Sequence, residues 1–190
     1  MRIANSTQRI GYYHVSIRDS LREHLLDTND ERARIVALLQ DALGIQSFLD
    51  DPIAYQKFGA RIDLLAFSIT RHSIELVIFA LNKASGRLLA RLLSAALQEL
   101  SNHHPTTTIH TLSGSHHALL TSIRLHARHD DWEYDRYSSI GFYLHDRRGD
   151  WVRLRRVSAL FSADPERYRA LFLACQPYVT RSNRATSLRA

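Results

Sequence analysis

Apolar and polar positions change period several times along the chain, and each change marks an element. Residues Ile10 to Ile17 read Ile-Gly-Tyr-Tyr-His-Val-Ser-Ile. Their aromatic and β-branched density predicts a first strand with Tyr13, Val15 and Ile17 on one face and Tyr12 and His14 on the other. Thr28 stands three residues before Glu31, the spacing of a capping box, and Ile35, Leu38, Leu39 and Ala42 follow at helical spacing with Gly44 as the stop. This predicts a helix over about 29–43. Residues 46–60, with Asp50-Asp51-Pro52 and Gly59, read as a connection with a short helical turn. Two dense apolar runs, Arg61 to Thr70 and Ser73 to Leu81, flank the polar break Thr70-Arg71-His72 and predict a β-hairpin. Its turn type stays open, because the break has neither Gly nor Asn. From Ser85 to Leu100 the residues Leu88, Leu89, Leu92, Leu93, Ala96, Leu97 and Leu100 share one side of a second helix, with Arg87, Arg91, Gln98 and Glu99 mostly outside it. After Pro105, the β-branched stretch Thr106 to Leu112 predicts a fourth strand.

The order β-α-β-β-α-β is that of a ferredoxin-like α+β sandwich: a four-stranded antiparallel sheet carries two helices on one face and leaves the other free for a ligand. Ser113-Gly114-Ser115 offers a cap for a third helix over about 116–129. Short helices are expected around Ser138 to Leu144, Arg155 to Phe161 and Pro165 to Ala174, before a frayed basic tail at 180–190. Residues 1–130 then form the core including that third helix. Residues 131–190 form a helical extension packed on the same domain.

At 190 residues the chain suits one domain, and 45% hydrophobic with 23% charged residues excludes a disordered or fibrous class. A single cysteine, Cys175, cannot form an intrachain disulfide, residues 1–7 lack an apolar core of signal-peptide length, and no run approaches a membrane span. A cytoplasmic location is the expectation. The net charge of +6, almost all of it arginine, suits a surface that meets phosphate, although an arginine-heavy chain also follows from genomic base composition. No repeat, cysteine pair or glycine-rich phosphate loop is present. Most of the 11 histidines do not pair as chelates, since adjacent ones on a helix do not share a face.

Further signals come from stretches taken in order. Gly11-Tyr12-Tyr13-His14-Val15-Ser16-Ile17-Arg18 looks like a Tyr-His-Val-Thr-x-Arg first strand, and Asp27-Thr28-Asn29-Asp30-Glu31-Arg32 looks like an acidic helix start. The hairpin from Leu65 to Ile78 is similar to one reading Tyr-Val-Leu-Met-Pro-Asn-His-x-His-Leu-Leu. Asp130 to Ser139 with Tyr143-Leu144 resembles a Pro-Glu-Asp-x-x-Trp-Ser-Ser-Tyr-x-x-Tyr-Leu stretch. Ser158-Ala159-Leu160-Phe161 and Asp164 to Arg169 resemble C-terminal helices of the same set. Over roughly residues 10–175 the chain thus resembles the HUH-type single-tyrosine transposases, the family that includes transposases associated with repetitive extragenic palindromes.

In that family two histidines flanking one hydrophobic residue hold a divalent cation that polarises the scissile phosphate. A tyrosine from a following helix then attacks to form a covalent link to DNA. The resemblance puts Ser73 and Glu75 at the histidine positions, leaves His72 one residue out of register, puts Ser122 at the tyrosine position and His126 at a further metal-ligand position. A hydroxyl and a carboxylate are a poorer pair than two imidazoles for a transition metal.

The reading is therefore a nucleic-acid-binding protein derived from such a transposase, one that binds single-stranded or hairpin DNA without cutting it. No catalytic residue is assigned. Glu75 and His126 are the metal candidates, and magnesium or manganese enters only if cleavage is retained. Binding is assigned to His14, Arg18, Arg124 and Arg128, the last two as an i, i+4 pair straddling a phosphate. A second basic surface comprises Arg147, Arg148, Arg153, Arg155 and Arg156 around Trp151, which is placed to stack on an unpaired base. The resemblance also implies a homodimer. The alternatives are a metal-dependent transposase or nuclease rebuilt from Glu75, His126 and His72, an RNA-hairpin-binding subunit of a larger nucleoprotein complex, and an adaptor that binds protein only.

Overall fold

Strand β1 (Gly11–Asp19) runs through the middle of a four-stranded sheet, hydrogen-bonded to an antiparallel strand on either side. A computed structural model describes residues 10–20, 24–44, 62–101, 104–129 and 135–175. The predicted connection at 46–60 and the tail at 180–190 lie outside these residues. After β1 come α1 (Asn29–Leu43), β2 (Ile62–Ile69), β3 (Ile74–Ala80), α2 (Lys83–Ser101) and β4 (Pro105–Leu112). The sheet order is β2-β3-β1-β4 with every neighbouring pair antiparallel, which is the ferredoxin-like arrangement. No helix among the described residues is long and apolar enough to cross a membrane.

Local chemistry accounts for the element ends. The Thr28 hydroxyl accepts from the Glu31 N–H at 3.1 Å, and the Glu31 carboxylate accepts from the Thr28 N–H at 2.9 Å, so the predicted capping box is formed. Thr28→Ala is expected to cost about 1 kcal/mol, read as a shift of the urea midpoint at unchanged slope. Gly44 stops α1 without a left-handed turn. A β-carbon there would lie 2.7 Å from the Gln40 carbonyl oxygen, so the close approach is what demands glycine. In the β2–β3 turn the Thr70 hydroxyl accepts from the N–H groups of His72 at 3.2 Å and Ser73 at 3.1 Å, which supplies the turn without Gly or Asn.

One sheet face carries α1 and α2, whose Ile35, Leu39, Leu89 and Leu93 pack with Val15, Ile17, Leu76 and Ile78 of the sheet. The other face is not free, as the element order alone suggests it should be. A second apolar layer covers it over β2 and β3, built from α3 (Ser115–His126), α4 (Ile140–Tyr143), single turns at Leu154–Arg156 and Ser158–Phe161, and α5 over 165–175. α3 ends three residues before the predicted 129, and its N-cap position, Gly114, makes no side-chain cap hydrogen bond. Segment 137–139 and Arg153 also bond the backbone of β2 along its outer edge, through Ile69 N–H to Tyr137 at 2.8 Å, Ser139 N–H to Phe67 at 3.0 Å and Arg153 N–H to Leu64 at 2.7 Å. The second layer also reaches Tyr12 of β1 and Leu112 of β4, and Ser16 is buried; what stays open on this face is a strip of Arg18 from β1 with Thr106, Thr108 and His110 from β4, beside the half-buried His14.

A bulge in β2 decides what faces that layer. Leu64 pairs with Ile78 and Ala66 with Val77, so Leu65 is an extra residue. Before it the even positions Ile62 and Leu64 join the first core; after it the odd positions Phe67 and Ile69 do. Asp63 and Ser68 therefore end on the same face, opposite Phe79 and Glu75 respectively.

Candidate nucleic-acid interface

Glu75 is the second residue of β3, next to the hairpin turn, and faces the second layer with its side chain fully buried. A carboxylate in that position needs compensation. It receives a contact from His14 Nε2 at 2.6 Å and bonds from the Arg18 guanidinium at 3.1 Å and the Arg128 guanidinium at 2.8 Å. Burial pushes the Glu75 carboxyl up, but the His14 hydrogen bond and the Arg128 charge outweigh it and hold the group well below the usual carboxylate range.

One carboxylate thus gathers two guanidiniums, and the cluster carries a surplus of positive charge. The surplus reaches water: the Arg18 side chain is 62% exposed and that of Arg128 30%. Beside them on the open strip lie His110, whose ring centre is 6.4 Å from that of His14, and the exposed Thr106 and Thr108, cross-strand from Arg18 and Ser16.

A divalent cation does not fit this arrangement. Glu75 is its only carboxylate, both oxygens are already bonded, and the two neighbouring guanidiniums would repel the ion. Among the described residues no group of three His, Cys, Asp or Glu side chains is placed to hold a metal.

The remaining family-equivalent positions part company from Glu75. Ser73 sits in the hairpin turn, bonded to Thr70. The Ser122 hydroxyl is fully buried and donates back to the Ala118 carbonyl at 2.9 Å, a helix-internal bond and not the posture of a nucleophile. His126 is neither a metal candidate beside Glu75 nor a solvated histidine. It is fully buried in the second layer, between the Tyr168 hydroxyl at 2.5 Å and the Ser139 hydroxyl at 2.7 Å. Burial holds its imidazole down to about 3, so it is neutral.

The second predicted basic surface is reorganised as well. Trp151 is buried, its ring stacked on Phe67 at 5.1 Å and edge-on to Phe142 at 5.3 Å, so it offers no face to a base. Arg147 donates to the carbonyls of Arg136 and Ser138, while Arg148 stays exposed. Arg153, Arg155 and Arg156 converge on the buried Asp63 at 3.3, 3.2 and 2.7 Å, and Arg156 lies 3.5 Å over the Phe79 ring. Burial pushes Asp63 up, but the bonds from Arg156 and Arg155 outweigh it, leaving its carboxyl below the usual range. Arg124 is exposed on α3, whereas Arg128 lies beyond the helix end and turns to Glu75, so the two do not form the predicted helical pair.

Sequence reasoning missed Asp63, although a lone acid inside an apolar strand is itself a signal of a buried, compensated charge. It also missed a relay in which the Ser68 hydroxyl meets His129 Nε2 at 2.8 Å and His129 Nδ1 meets Asp135. Ser68 is fully buried, so this relay fastens residue 135 to β2 and presents no hydroxyl to solvent. No local pattern marks residues 61 and 67 positions apart.

No family model and no curated protein matches the sequence. Among solved structures, one of a REP-associated tyrosine transposase bound to a REP hairpin is similar over 82% of this chain and 96% of that chain, with a TM-score of 0.50 and 10% identity. At that identity the likeness establishes the arrangement of strands and helices.

Proposed function

We propose that this protein binds nucleic-acid hairpins, DNA in the first instance, through the open β1–β4 strip and does not cut them. The observation that carries the reading is the Glu75 cluster. The position at which the resemblance places a metal ligand is a buried carboxylate neutralised by Arg18 and Arg128, with guanidinium charge left over for phosphate. The hairpin in the structurally similar transposase supports the choice of ligand. Asp63 with its three arginines adds positive charge on the same face, one end of the sheet away.

The test is binding and cleavage of labelled hairpin and single-stranded DNA and RNA, across a salt series, with magnesium, manganese or chelator. Salt-dependent binding with intact oligonucleotide is the expected result, and the mass of the complex reads out whether a dimer forms. Arg18→Ala is expected to weaken binding about tenfold at low salt and to lower the slope of log K against log salt by about one. Metal-dependent cleavage would overturn the non-cutting reading, and salt-independent or absent binding would overturn the interface.

A further inference from the structure

A second positive groove lies on the opposite layer of the molecule. Lys83, Arg87 and Arg91 recur at every fourth position of α2, so they follow one side of the helix at intervals of about 6 Å. With Ala90, Ser94, Thr107 and Ile109 they line a groove of about 310 Å³ between α2 and β4. No acidic residue lines it, and none of the three cations has an ion-pair or hydrogen-bond partner among the described residues. This differs from the arginines of the other face, which gather on Glu75 and Asp63. Three like charges in a row without a counter-charge raise a positive potential along the groove, which attracts an anion.

The shape and chemistry of the groove favour a phosphate backbone. From Lys83 to Arg91 the row spans about 12 Å of helix, equal to about three or four base-pair steps along a duplex strand. Ser94 and Thr107 supply hydroxyls, the neutral donors that accompany arginine and lysine at phosphates. The groove also opens along the sheet edge: β4 is an outer strand, and whereas β2 has its edge covered by residues 137–139 and Arg153, no described element pairs with the outer edge of β4. Strand alternation puts Thr107 and Ile109 toward α2 and Thr106, Thr108 and His110 toward the Glu75 side, so β4 is a ridge between two positive tracks.

We infer that the α2–β4 groove is a second phosphate-backbone track that holds the stem of a nucleic-acid hairpin astride β4. The inference rests on the nucleic-acid reading above.

The experiment uses the full chain and DNA hairpins of one loop with stems of about 4 and about 12 base pairs. The variant is Lys83→Gln with Arg87→Gln and Arg91→Gln. For the long stem the salt slope is expected to fall by about two to three and the affinity by at least about tenfold, with the short stem unchanged. Arg18→Ala weakens both stems. If the triple variant does not fold, Arg87→Gln alone is expected to lower the long-stem slope by about one.

A wild-type protein that binds both stems, with the groove variant indistinguishable from it, overturns this inference and leaves the first site standing. A wild-type protein that binds neither stem overturns both. Loss of binding to phosphatidylserine vesicles or to polyglutamate in the triple variant, with long-stem binding intact, also overturns it and assigns the groove to that other anion.

Discussion

Replacement of His126 by alanine is expected to lower the free energy of unfolding by about 3–5 kcal/mol. The imidazole is fully buried at the end of α3 and ties it to two other segments: α5, through Tyr168 on Nδ1, and α4 with its N-cap, through Ser139 on Nε2 and the Tyr143 ring edge-on at 5.0 Å. One proton arrangement satisfies every atom. The Tyr168 hydroxyl donates to Nδ1, Nε2–H donates to Ser139 Oγ, and the Ser139 hydroxyl donates to the Phe67 carbonyl while accepting the Phe67 N–H. Alanine removes the ring, leaves a cavity and orphans the buried Tyr168 hydroxyl. Urea unfolding measures the cost, and a loss below about 1 kcal/mol would show that the second layer does not depend on this histidine.

The same residue sets a pH dependence whose sign follows from the shift. The folded-state value is depressed to about 3 from 6.5, so between these values the unfolded chain takes up a proton that the folded one refuses. Stability is full above about 6.5 and falls as pH drops toward about 3, by roughly 1 kcal/mol per pH unit. His126→Phe is expected to flatten this part of the profile even if it costs stability overall. An unchanged slope between pH 6 and pH 5 in that variant would count against a neutral buried imidazole.

Glu75→Gln carries the second large effect, and here the expected result is a gain. Removing the one negative charge between Arg18, Arg128 and His14 leaves the interface more positive, and hairpin binding is expected to tighten about tenfold at low salt. A site in which Glu75 held a catalytic cation would respond in the opposite way, by losing activity, so the direction alone separates the two. Stability is expected to drop by about 1–3 kcal/mol, less than for a wholly buried ion pair, since both guanidiniums can turn to water. Acid acts on the same carboxylate. Its folded value lies below the ordinary 4.5, so its contribution is present above that pH and is lost as pH falls below it, beneath the range in which His126 begins to act. Weaker hairpin binding by Glu75→Gln at low salt would remove the electrostatic reading of the cluster.

Whatever depends on neighbours within a turn or on the period of a strand can be read from the order of residues. The element order β-α-β-β-α-β, the capping box of Thr28 and Glu31, the faces of β1, and the short helices of the C-terminal segment were all legible, because a cap forms across three residues and alternation needs only the pleat. The HUH-type resemblance and the ferredoxin-like order both led to the fold that the sheet adopts. Tertiary structure alone decided which charges meet and which face is closed. Glu75 finds His14 across 61 positions of chain and Asp63 finds Arg156 across 93, separations at which sequence spacing carries no geometric information. The bulge at Leu65 reverses the alternation of β2, so that Asp63 and Ser68, which a regular strand would send to opposite faces, share one. The burial of Trp151 and His126 is decided the same way: residues 135–175 fold back on the sheet, Trp151 packing on Phe67 in the first core while Tyr143 and Tyr168 close on His126 in the second, so whether a polar or aromatic side chain reaches a ligand depends on where distant parts of the chain pack.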